Sequence, residues 1–256
     1  MQKDIGSDNI ASHSEILTAE DNAIRFYSFG ETAIVLEYCG NACGDQQQVL
    51  ELVLQRQQRL LELKNVIQTN EVIPGIVDCI PGNQNLTVLF DPLTINANEI
   101  CTVLNSRWRT LSTSHQHSDL QATQSSPIEV PVIYGGEYGP DLGAVANYHD
   151  TCENTVIEQH CAPVYTVLFN GFLPGFPYLT GLPKSLHTPR RTSPRLSVVA
   201  GSIAIGGSQT GIYPINSPGG WQIIGRCKLG KQKLFSPDLS PPQLFAAGCR
   251  IRFTPA

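Results

Sequence analysis

The sequence contains little charge and no long apolar run. Only 15% of its 256 residues are charged, and the formal net charge is −5 at pH 7. A net negative charge argues against a protein that binds nucleic acid or an anionic membrane with its whole surface. No apolar run approaches the roughly 20 residues that a membrane-spanning helix needs. We therefore expect a partner that is neither nucleic acid nor membrane.

Several motifs with known chemistry are also absent. The eight cysteines form no CxxC pair, and no histidine lies at the spacing of a zinc site. The first residues, MQKDIGSDNIASHSEILTAED, contain no apolar segment of the kind that a secretory signal has. Neither a Walker A motif nor GxGxxG occurs, and spacing supports no Ser-His-Asp arrangement. We expect free thiols rather than a metal site, and a cytoplasmic location.

The first half of the chain predicts a small α+β domain over residues 23–110. Its apolar spacing indicates two strands, a helix, two strands and a helix, at 24–29, 32–38, 45–65, 75–80, 86–90 and 97–109. Asp45 stands where it can cap the first helix. We therefore expect a ferredoxin-like ββαββα sandwich, preceded by a disordered leader over residues 1–22.

The second half predicts a β-barrel after a polar linker. Residues 111–127 are rich in Ser, Thr and Gln and have almost no apolar periodicity, which is typical of a linker. Short strands separated by Gly and Pro turns follow, with two short helices near Asp141 and before His160. Such a pattern favours a closed barrel over residues 128–256. The predicted fold class is therefore α+β.

Three arginines lie close together in the segment HTPRRTSPR. Arg190, Arg191 and Arg195 alternate with Pro189 and Pro194, which hold the loop extended and stiff. The guanidinium fork binds carboxylate or phosphate with two hydrogen bonds. The segment predicts an anion clamp for a carboxylate, a phosphate or a phosphorylated intermediate. Solvated arginines or structural ion pairs are the alternative.

The glycine-rich segment SIAIGGSQTGIYPINSPGGW has two interpretations. Glycine turns expose backbone N–H groups that can hold phosphate, but the turns of a barrel need glycine as well. Its polar side chains that we expect to face a ligand are Gln209, Thr210, Tyr213 and Ser217.

Two neighbouring segments add further candidates. Phe172, Phe176 and Tyr178 in GFLPGFPYL form either the floor of a pocket or a packed corner of the barrel. In YGGEYGPDL, Glu137 and Asp141 could bind Mg²⁺ with a nucleotide, although Asp141 also suits a helix cap. His160 ends a short helix, where a histidine is favourable without any catalytic role.

Long blocks of the sequence resemble one protein family. The blocks are GFLPGFPYLTGLP, TPRRTSPR, AGSIAIGGSQTGIYP and SPGGWQIIGR, supported by FGETAIVLE and PGNQNLTVLFDP. They resemble the family that includes the B component of bacterial 5-oxoprolinase, KipI-type kinase inhibitors and the carboxyltransferase subdomain C and D of urea carboxylase and allophanate hydrolase. The resemblance covers about residues 24–254. The chain departs from the family pattern near its end, where Ser236 and Cys249 replace two aspartates.

The resemblance implies a cyclophilin-like barrel and an enzyme that is active only in a complex. The implied reaction hydrolyses 5-oxo-L-proline to L-glutamate with ATP and Mg²⁺. The implied partners are the C component of 5-oxoprolinase (KipA-like) and its A component (LamB/YcsF-like). The alternatives are a KipI-like inhibitor of a sensor histidine kinase, which would bind through Phe172, Phe176 and Trp221, and a carboxyltransferase or allophanate hydrolase subunit 1.

The resemblance also assigns roles to the candidate residues. The implied catalytic residues are Arg190, Arg191, Arg195, Gln209 and Tyr213. The implied substrate-binding residues are Phe172, Gly175, Tyr178, Thr210, Ser217, Gly219 and Gly220. Glu137 and His160 are further candidates, and no residue is assigned to a metal.

Overall fold

The structure is a computed structural model that describes five ranges of the chain in full. These ranges are 24–40, 43–69, 73–111, 126–229 and 233–256, and the backbone alone is described at 15–17 and 112–114. The chain divides into two compact units, Met1–Ala42 with Gln55–Gln116, and Cys43–Leu54 with His117–Ala256. Most of the predicted leader and linker lies outside the described residues, so those two boundaries remain predictions.

The first unit contains a five-stranded antiparallel sheet in the order β1-β2-β3-β5-β4. Its strands are β1 (Glu15–Leu17), β2 (Ile24–Ser28), β3 (Ala33–Tyr38), β4 (Ile76–Gly82) and β5 (Asn85–Phe90). The helices are α1 (Gln46–Thr69) and α2 (Ala97–Ser114). Four of these strands and both helices were predicted. β1 lies in the segment predicted as a leader, and the ferredoxin-like arrangement remains a prediction.

The two long helices lie where capping and apolar spacing place them. The backbone N–H of Gln48 donates to Oδ1 of Asp45 at 2.9 Å, and the N–H of Asp45 donates to Oε1 of Gln48 at 3.0 Å. The predicted cap is therefore confirmed, in the reciprocal form of a capping box. α2 continues beyond the predicted end at residue 109. The reason is that Leu111 extends the apolar face formed by Leu104 and Trp108.

The second unit is built around a closed seven-stranded barrel in the order β10-β11-β8-β7-β14-β6-β13. Its strands are β6 (Ile128–Tyr134), β7 (Tyr165–Asn170), β8 (Pro177–Thr180), β10 (Ser202–Gly206), β11 (Gln209–Ile212), β13 (Gln222–Cys227) and β14 (Arg250–Pro255). A separate two-stranded ribbon pairs β9 (Arg195–Val198) with β12 (Ser217–Gly219). The two helices are α3 (Leu142–Tyr148) and α4 (Glu153–Cys161). The predicted closed barrel with two small helices is thus confirmed.

Alternation along the strands gives the barrel two apolar faces. Ile203 and Ile205 on β10 and Ile224 on β13 belong to the main core, which also includes Tyr165 and Phe253. The neighbouring residues Ala204 and Ile223 belong to a second cluster with Phe176, Tyr213 and Trp221. Because successive side chains of a strand point to opposite faces, this second cluster lies on the other side of the same strands.

Two expectations from the sequence can be compared directly with the structure. The eight cysteines are free, as expected. Within the described ranges, no helix has both the length and the hydropathy that a membrane crossing requires.

Candidate functional site

The second apolar face of the barrel carries five aromatic side chains in mutual contact, which we call the aromatic cluster: Phe172, Phe176, Tyr178, Tyr213 and Trp221. The ring of Phe176 lies at its centre, with centroids 5.1 Å from Tyr213, 5.5 Å from Trp221 and 4.9 Å from Tyr178. Most of these contacts are edge-to-face, the arrangement that aromatic rings prefer. The two interpretations of GFLPGFPYL therefore meet in one place, since Phe176 is packed and Phe172 is 60% exposed.

Glycines make room for three of these rings. A Cβ atom at Gly206 would collide with the indole of Trp221, and one at Gly219 would collide with the phenol of Tyr213. A Cβ at Gly211 would lie 2.8 Å from the Phe176 ring. Much of the glycine content of this segment is therefore explained by ring packing rather than by phosphate binding.

Asp141 links the arginine segment to the barrel. Its side chain is 5% exposed, and its Oδ1 accepts hydrogen bonds from Arg195 Nη2 at 2.6 Å and Arg191 Nη1 at 3.1 Å. Its Oδ2 accepts from the backbone N–H of Ile223 at 2.7 Å. Asp141 occupies the N-cap position of α3 but makes no side-chain cap bond. The expected side-chain cap is therefore wrong, because the carboxylate is turned toward β13 and the arginines.

Backbone contacts hold the arginine segment against the β9–β12 ribbon. The N–H of Arg191 donates to the carbonyl of Gly220 at 2.7 Å, and Arg195 pairs with Gly219 across the ribbon. Arg190 is exposed, and its guanidinium carbon lies 5.8 Å from the ring centroid of Trp221. The predicted loop is thus a fixed edge beside the aromatic cluster.

The arginines combine the two alternatives left open by the sequence. Arg191 and Arg195 do form a structural ion pair with Asp141, and yet three guanidinium charges against one carboxylate leave a net charge of +2. Arg191 Nε and Arg195 Nη1 are buried and have no hydrogen-bond partner among the described residues. Because buried N–H groups are costly when unpaired, these atoms favour the arrival of an acceptor.

The two tyrosines of the cluster are neutral hydrogen-bonding groups. Burial raises the pKa of Tyr213, and the charges of Arg190 and Arg195 oppose this rise. Burial also raises the pKa of Tyr178, again against the charge of Arg190. Both phenols therefore keep their protons at neutral pH. An O–H donor close to guanidinium groups can bind a carbonyl or an oxyanion.

Three of the remaining predicted residues lie around this edge with different exposure. Ser217 is buried in β12, and its hydroxyl donates to the carbonyl of Pro218 at 3.1 Å. Gln209 is half-buried and begins β11, opposite Gly206. Gly220 has ordinary packing space, with Pro194 3.7 Å from a Cβ built on it.

Backbone conformation distinguishes two positions in the turn before β8. Gly175 has φ of 78° and Phe172 has φ of 64°. The positive φ suits glycine but is unusual for phenylalanine, and such strain is concentrated at functional sites. A Cβ at Gly175 would also lie 2.7 Å from Phe235. Gly175 therefore shapes the turn that presents the ring of Phe172.

His160 and Thr210 lie inside the barrel rather than at the arginine edge. Both are fully buried, and His160 Nε2 lies 3.1 Å from the Thr210 hydroxyl. His160 Nδ1 lies 2.7 Å from the Tyr134 hydroxyl, and burial lowers the pKa of His160 to about 3. The structure thus places Thr210, expected to face a ligand, in the core, because β11 alternates and Gly211 faces the cluster.

The structure gives no support to a magnesium site at Glu137 and Asp141. Glu137 is exposed in the turn before α3, and both oxygens of Asp141 already accept hydrogen bonds. Across the described residues, no group of three or more His, Cys, Asp or Glu side chains could hold a metal ion.

The role of Asp141 is the feature that sequence reasoning missed. Its arginine partners lie 50 and 54 residues away along the chain, and its backbone partner Ile223 lies 82 residues away. No local pattern carries such a contact. The position of Asp141 just before a helix pointed only to a cap.

The fold and the site define a class of protein: a two-unit α+β chain whose closed barrel carries an arginine edge beside an aromatic cluster. The sequence model of the family described as carboxyltransferase domain, subdomain C and D, matches residues 24–245. The chain belongs to this family.

Characterised relatives share one name, the B component of 5-oxoprolinase. The chain is 41% identical over 235 residues to this protein of Escherichia coli O157:H7, covering 90% of this chain and 95% of that protein. It is 44% identical to the protein of the same name in Haemophilus influenzae, covering 78% of this chain and 87% of that protein. The Bacillus subtilis protein of the same name is 38% identical and covers 70% of this chain and 75% of the relative.

Solved structures share the fold. The crystal structure of TTHA0988 matches with a TM-score of 0.68 at 28% identity, over 88% of this chain. This chain spans only 39% of the length of TTHA0988. The K. lactis urea amidolyase matches with a TM-score of 0.70 over 94% of this chain and 15% of its own. At 20% identity, that second match shows the fold alone.

Proposed function

We propose that this chain is the B component of an ATP-dependent 5-oxoprolinase, which hydrolyses 5-oxo-L-proline to L-glutamate and is active only as part of a complex. The observation that carries the proposal is the identity of 38%, 41% and 44% to three proteins that bear this name. In the first of these matches the aligned part covers 95% of the relative. The proposal therefore concerns a whole component of the enzyme rather than a shared domain.

The chemistry of this reaction fits the arginine edge. Transfer of the ATP γ-phosphoryl group to the lactam oxygen would leave ADP and an activated ring carbon. Water would then add to that carbon, phosphate would leave, and the ring C–N bond would break to give glutamate. The substrate carboxylate and the phosphoryl oxygens both need fixed cationic donors. Arg190, Arg191 and Arg195 supply a net charge of +2 after the charge of Asp141 is subtracted.

Neutral donors and an apolar surface complete the proposed half-site. The phenols of Tyr213 and Tyr178 stay protonated and lie near the arginine charges. Phe172 offers an exposed ring on which the small lactam ring could pack. We assign the ring contact to the aromatic cluster and the oxyanion contact to the arginines.

We further propose that the A and C components of the enzyme complete the site. The C component is expected to be KipA-like and the A component LamB/YcsF-like. Mg²⁺ would enter with the phosphates of ATP, since no metal-binding group of three or more acidic, His or Cys side chains occurs in the described ranges. A cyclophilin-like classification of the barrel and a cytoplasmic location belong to the same proposal.

Reconstitution tests the function. The purified chain should produce little glutamate alone and should produce it in an ATP-dependent manner when mixed with A-type and C-type components. Absence of turnover in a mixture that assembles would refute the function. Recovery of a histidine kinase but no C-type component in a pull-down would favour the kinase-inhibitor alternative instead.

Substitution of the exposed arginine tests the assignment of the site. Arg190→Ala should lower kcat/KM of the complex by about 100-fold, because one cationic donor to developing charge is lost. Arg25→Ala is the matched control, since it removes an arginine paired with Glu37 in the other unit. Normal turnover of both Arg190→Ala and Arg195→Ala would show that the arginines are not the anion clamp.

A further inference from the structure

We infer that Asp141 is a positioning residue, which holds Arg191 and Arg195 in one arrangement so that their remaining N–H groups bind an oxyanion. The inference rests on the proposed function to the extent that the oxyanion is a carboxylate or phosphoryl group of its reactants. Asp141 itself does not touch the ligand. It acts through the two guanidinium groups whose hydrogen bonds it accepts.

The barrel fixes the carboxylate independently of the arginines. The backbone N–H of Asp141 donates to the carbonyl of Ile223 at 2.9 Å, and the N–H of Ile223 donates to Oδ2 of Asp141 at 2.7 Å. These two bonds tie Asp141 to β13 from both directions. Since neither bond involves an arginine, the carboxylate is in place whether or not the arginines approach it. Asp141 therefore orders the arginines and is not merely drawn to them.

The other oxygen of Asp141 brings two like charges together. Oδ1 accepts from Arg195 at 2.6 Å and from Arg191 at 3.1 Å, while the Asp141 side chain is 5% exposed. Two guanidinium groups that share one oxygen atom repel each other, and burial strengthens that repulsion. Without the carboxylate, each long side chain would turn toward solvent. The convergence of Arg191 and Arg195 thus depends on Asp141.

The converged pair keeps unused hydrogen-bonding capacity and charge. Arg191 Nε and Arg195 Nη1 are buried without an acceptor in the part of the chain that the structure describes. The side chains of Arg191 and Arg195 are still 35% and 24% exposed, so a small ligand can reach the pair. One carboxylate offsets only one of the two charges. An oxyanion would supply both the missing acceptor atoms and the missing negative charge.

A positioning role and a simple charge-balancing role predict opposite results for Asp141→Asn. If Asp141 only balances charge, its neutralisation leaves a more positive pair, and an oxyanion should bind more tightly. If Asp141 positions the pair, its neutralisation lets the guanidinium groups separate, and an oxyanion should bind more weakly. The Asn side-chain oxygen can still accept the Ile223 N–H, so the tie to β13 is kept. The sign of the change decides between the two roles.

The experiment measures binding of inorganic phosphate and of 5-oxo-L-proline to the full chain by calorimetry at low ionic strength. We expect Asp141→Asn to weaken anion binding by about 10-fold or more, because orientation of the donors is lost. Glu37→Gln is the matched control, since it removes a carboxylate from the Arg25 ion pair and should leave binding unchanged. The two probes distinguish a phosphoryl site from a carboxylate site.

A second variant keeps the test valid if Asp141→Asn does not fold. Arg195→Lys preserves the charge but removes the fork, so a positioned pair predicts at least about 10-fold weaker binding and mere charge predicts no change. Equal or tighter binding by Asp141→Asn would overturn the inference. Equal binding by Arg195→Lys, or failure of the wild-type chain to bind either probe, would overturn it as well.

These outcomes are separate from those of the reconstitution. If phosphate binding follows the expected pattern but the assembled complex makes no glutamate, the proposed function is wrong and the role of Asp141 stands. If the complex is active and Asp141→Asn has wild-type anion affinity and KM, the function stands and the role of Asp141 is wrong.

Discussion

The buried histidine of the barrel leads to a quantitative prediction about acid stability. The Thr210 hydroxyl donates its only proton to the carbonyl of Ala204 at 2.9 Å, so it can only accept from His160 Nε2. Nε2 therefore carries the ring proton, and Nδ1 accepts from Tyr134 at 2.7 Å. The ring also stacks on Phe253, with centroids 4.6 Å apart. A second proton on His160 would lose a hydrogen bond and place a charge in an apolar core.

The size of the effect follows from the difference between the folded and unfolded pKa of His160. Burial lowers the pKa to about 3 in the folded chain, against 6.5 when the side chain is exposed. Below pH 6.5 the unfolded chain takes up a proton that the folded chain refuses. The free energy of unfolding therefore has its full value above pH 6.5 and falls as the pH drops toward 3. Each unit costs about 1.4 kcal/mol, which gives about 2 kcal/mol between pH 7 and pH 5.

The assay compares urea unfolding of the wild-type chain and His160→Gln at pH 7 and at pH 5. The chain has two tryptophans, so a Trp108→Phe background leaves Trp221 as a fluorescent reporter of the barrel. His160→Gln loses packing and should be less stable at pH 7. Its barrel should escape the acid loss at this position, so the stability gap should narrow by about 2 kcal/mol at pH 5.

Other titrating groups are common to both proteins and cancel in the difference. His187→Gln is the control, because this half-buried side chain lies outside the barrel core and the variant should show the wild-type loss of stability in acid. A gap of the same size at pH 7 and pH 5 would refute the reasoning. It would mean that His160 accepts a proton in the folded chain as readily as in the unfolded one.

Two further predictions concern packing and capping. Gly219→Ala should destabilise the barrel by about 1–3 kcal/mol, because its Cβ would collide with Tyr213, whereas Gly220→Ala should change little. Equal urea midpoints for the two variants would contradict the ring-packing explanation. Asp45→Ala should lower the thermal stability of the helix that begins at Gln46 by about 1 kcal/mol, measured by circular dichroism, because one half of the capping box is lost. An unchanged melting curve would show that this cap contributes nothing.

The elements that were predicted correctly carry their signal in neighbouring residues. The strand Ala33–Tyr38 is a short run of β-branched and apolar residues, and its neighbour alternates between buried and half-buried positions. Asp45 and Gln48 lie three residues apart, so the start of the helix is visible locally. By contrast, the strand Pro177–Thr180 has four residues in a Gly- and Pro-rich segment, which is too short for periodicity to separate it from a turn.

The candidate site shows the same division. The sequence pointed to Arg190, Arg191 and Arg195 because their charges and the surrounding prolines lie within one short segment. Thr210 was expected at the surface because its neighbours are polar, but the strand directs its side chain into the barrel toward His160. The side to which a residue of a short strand points depends on register, which only pairing with other strands decides.

The sequence by itself determined the two-part organisation, the helix starts, the barrel class and the arginine segment, because each depends on residues close together in the chain. The tertiary structure alone decided that Asp141 joins the arginines to the barrel. It also decided that His160 is a neutral core residue, and that glycines far apart in sequence receive the aromatic rings. Those properties arise from side chains that meet only when distant strands pair, and no local pattern records such meetings.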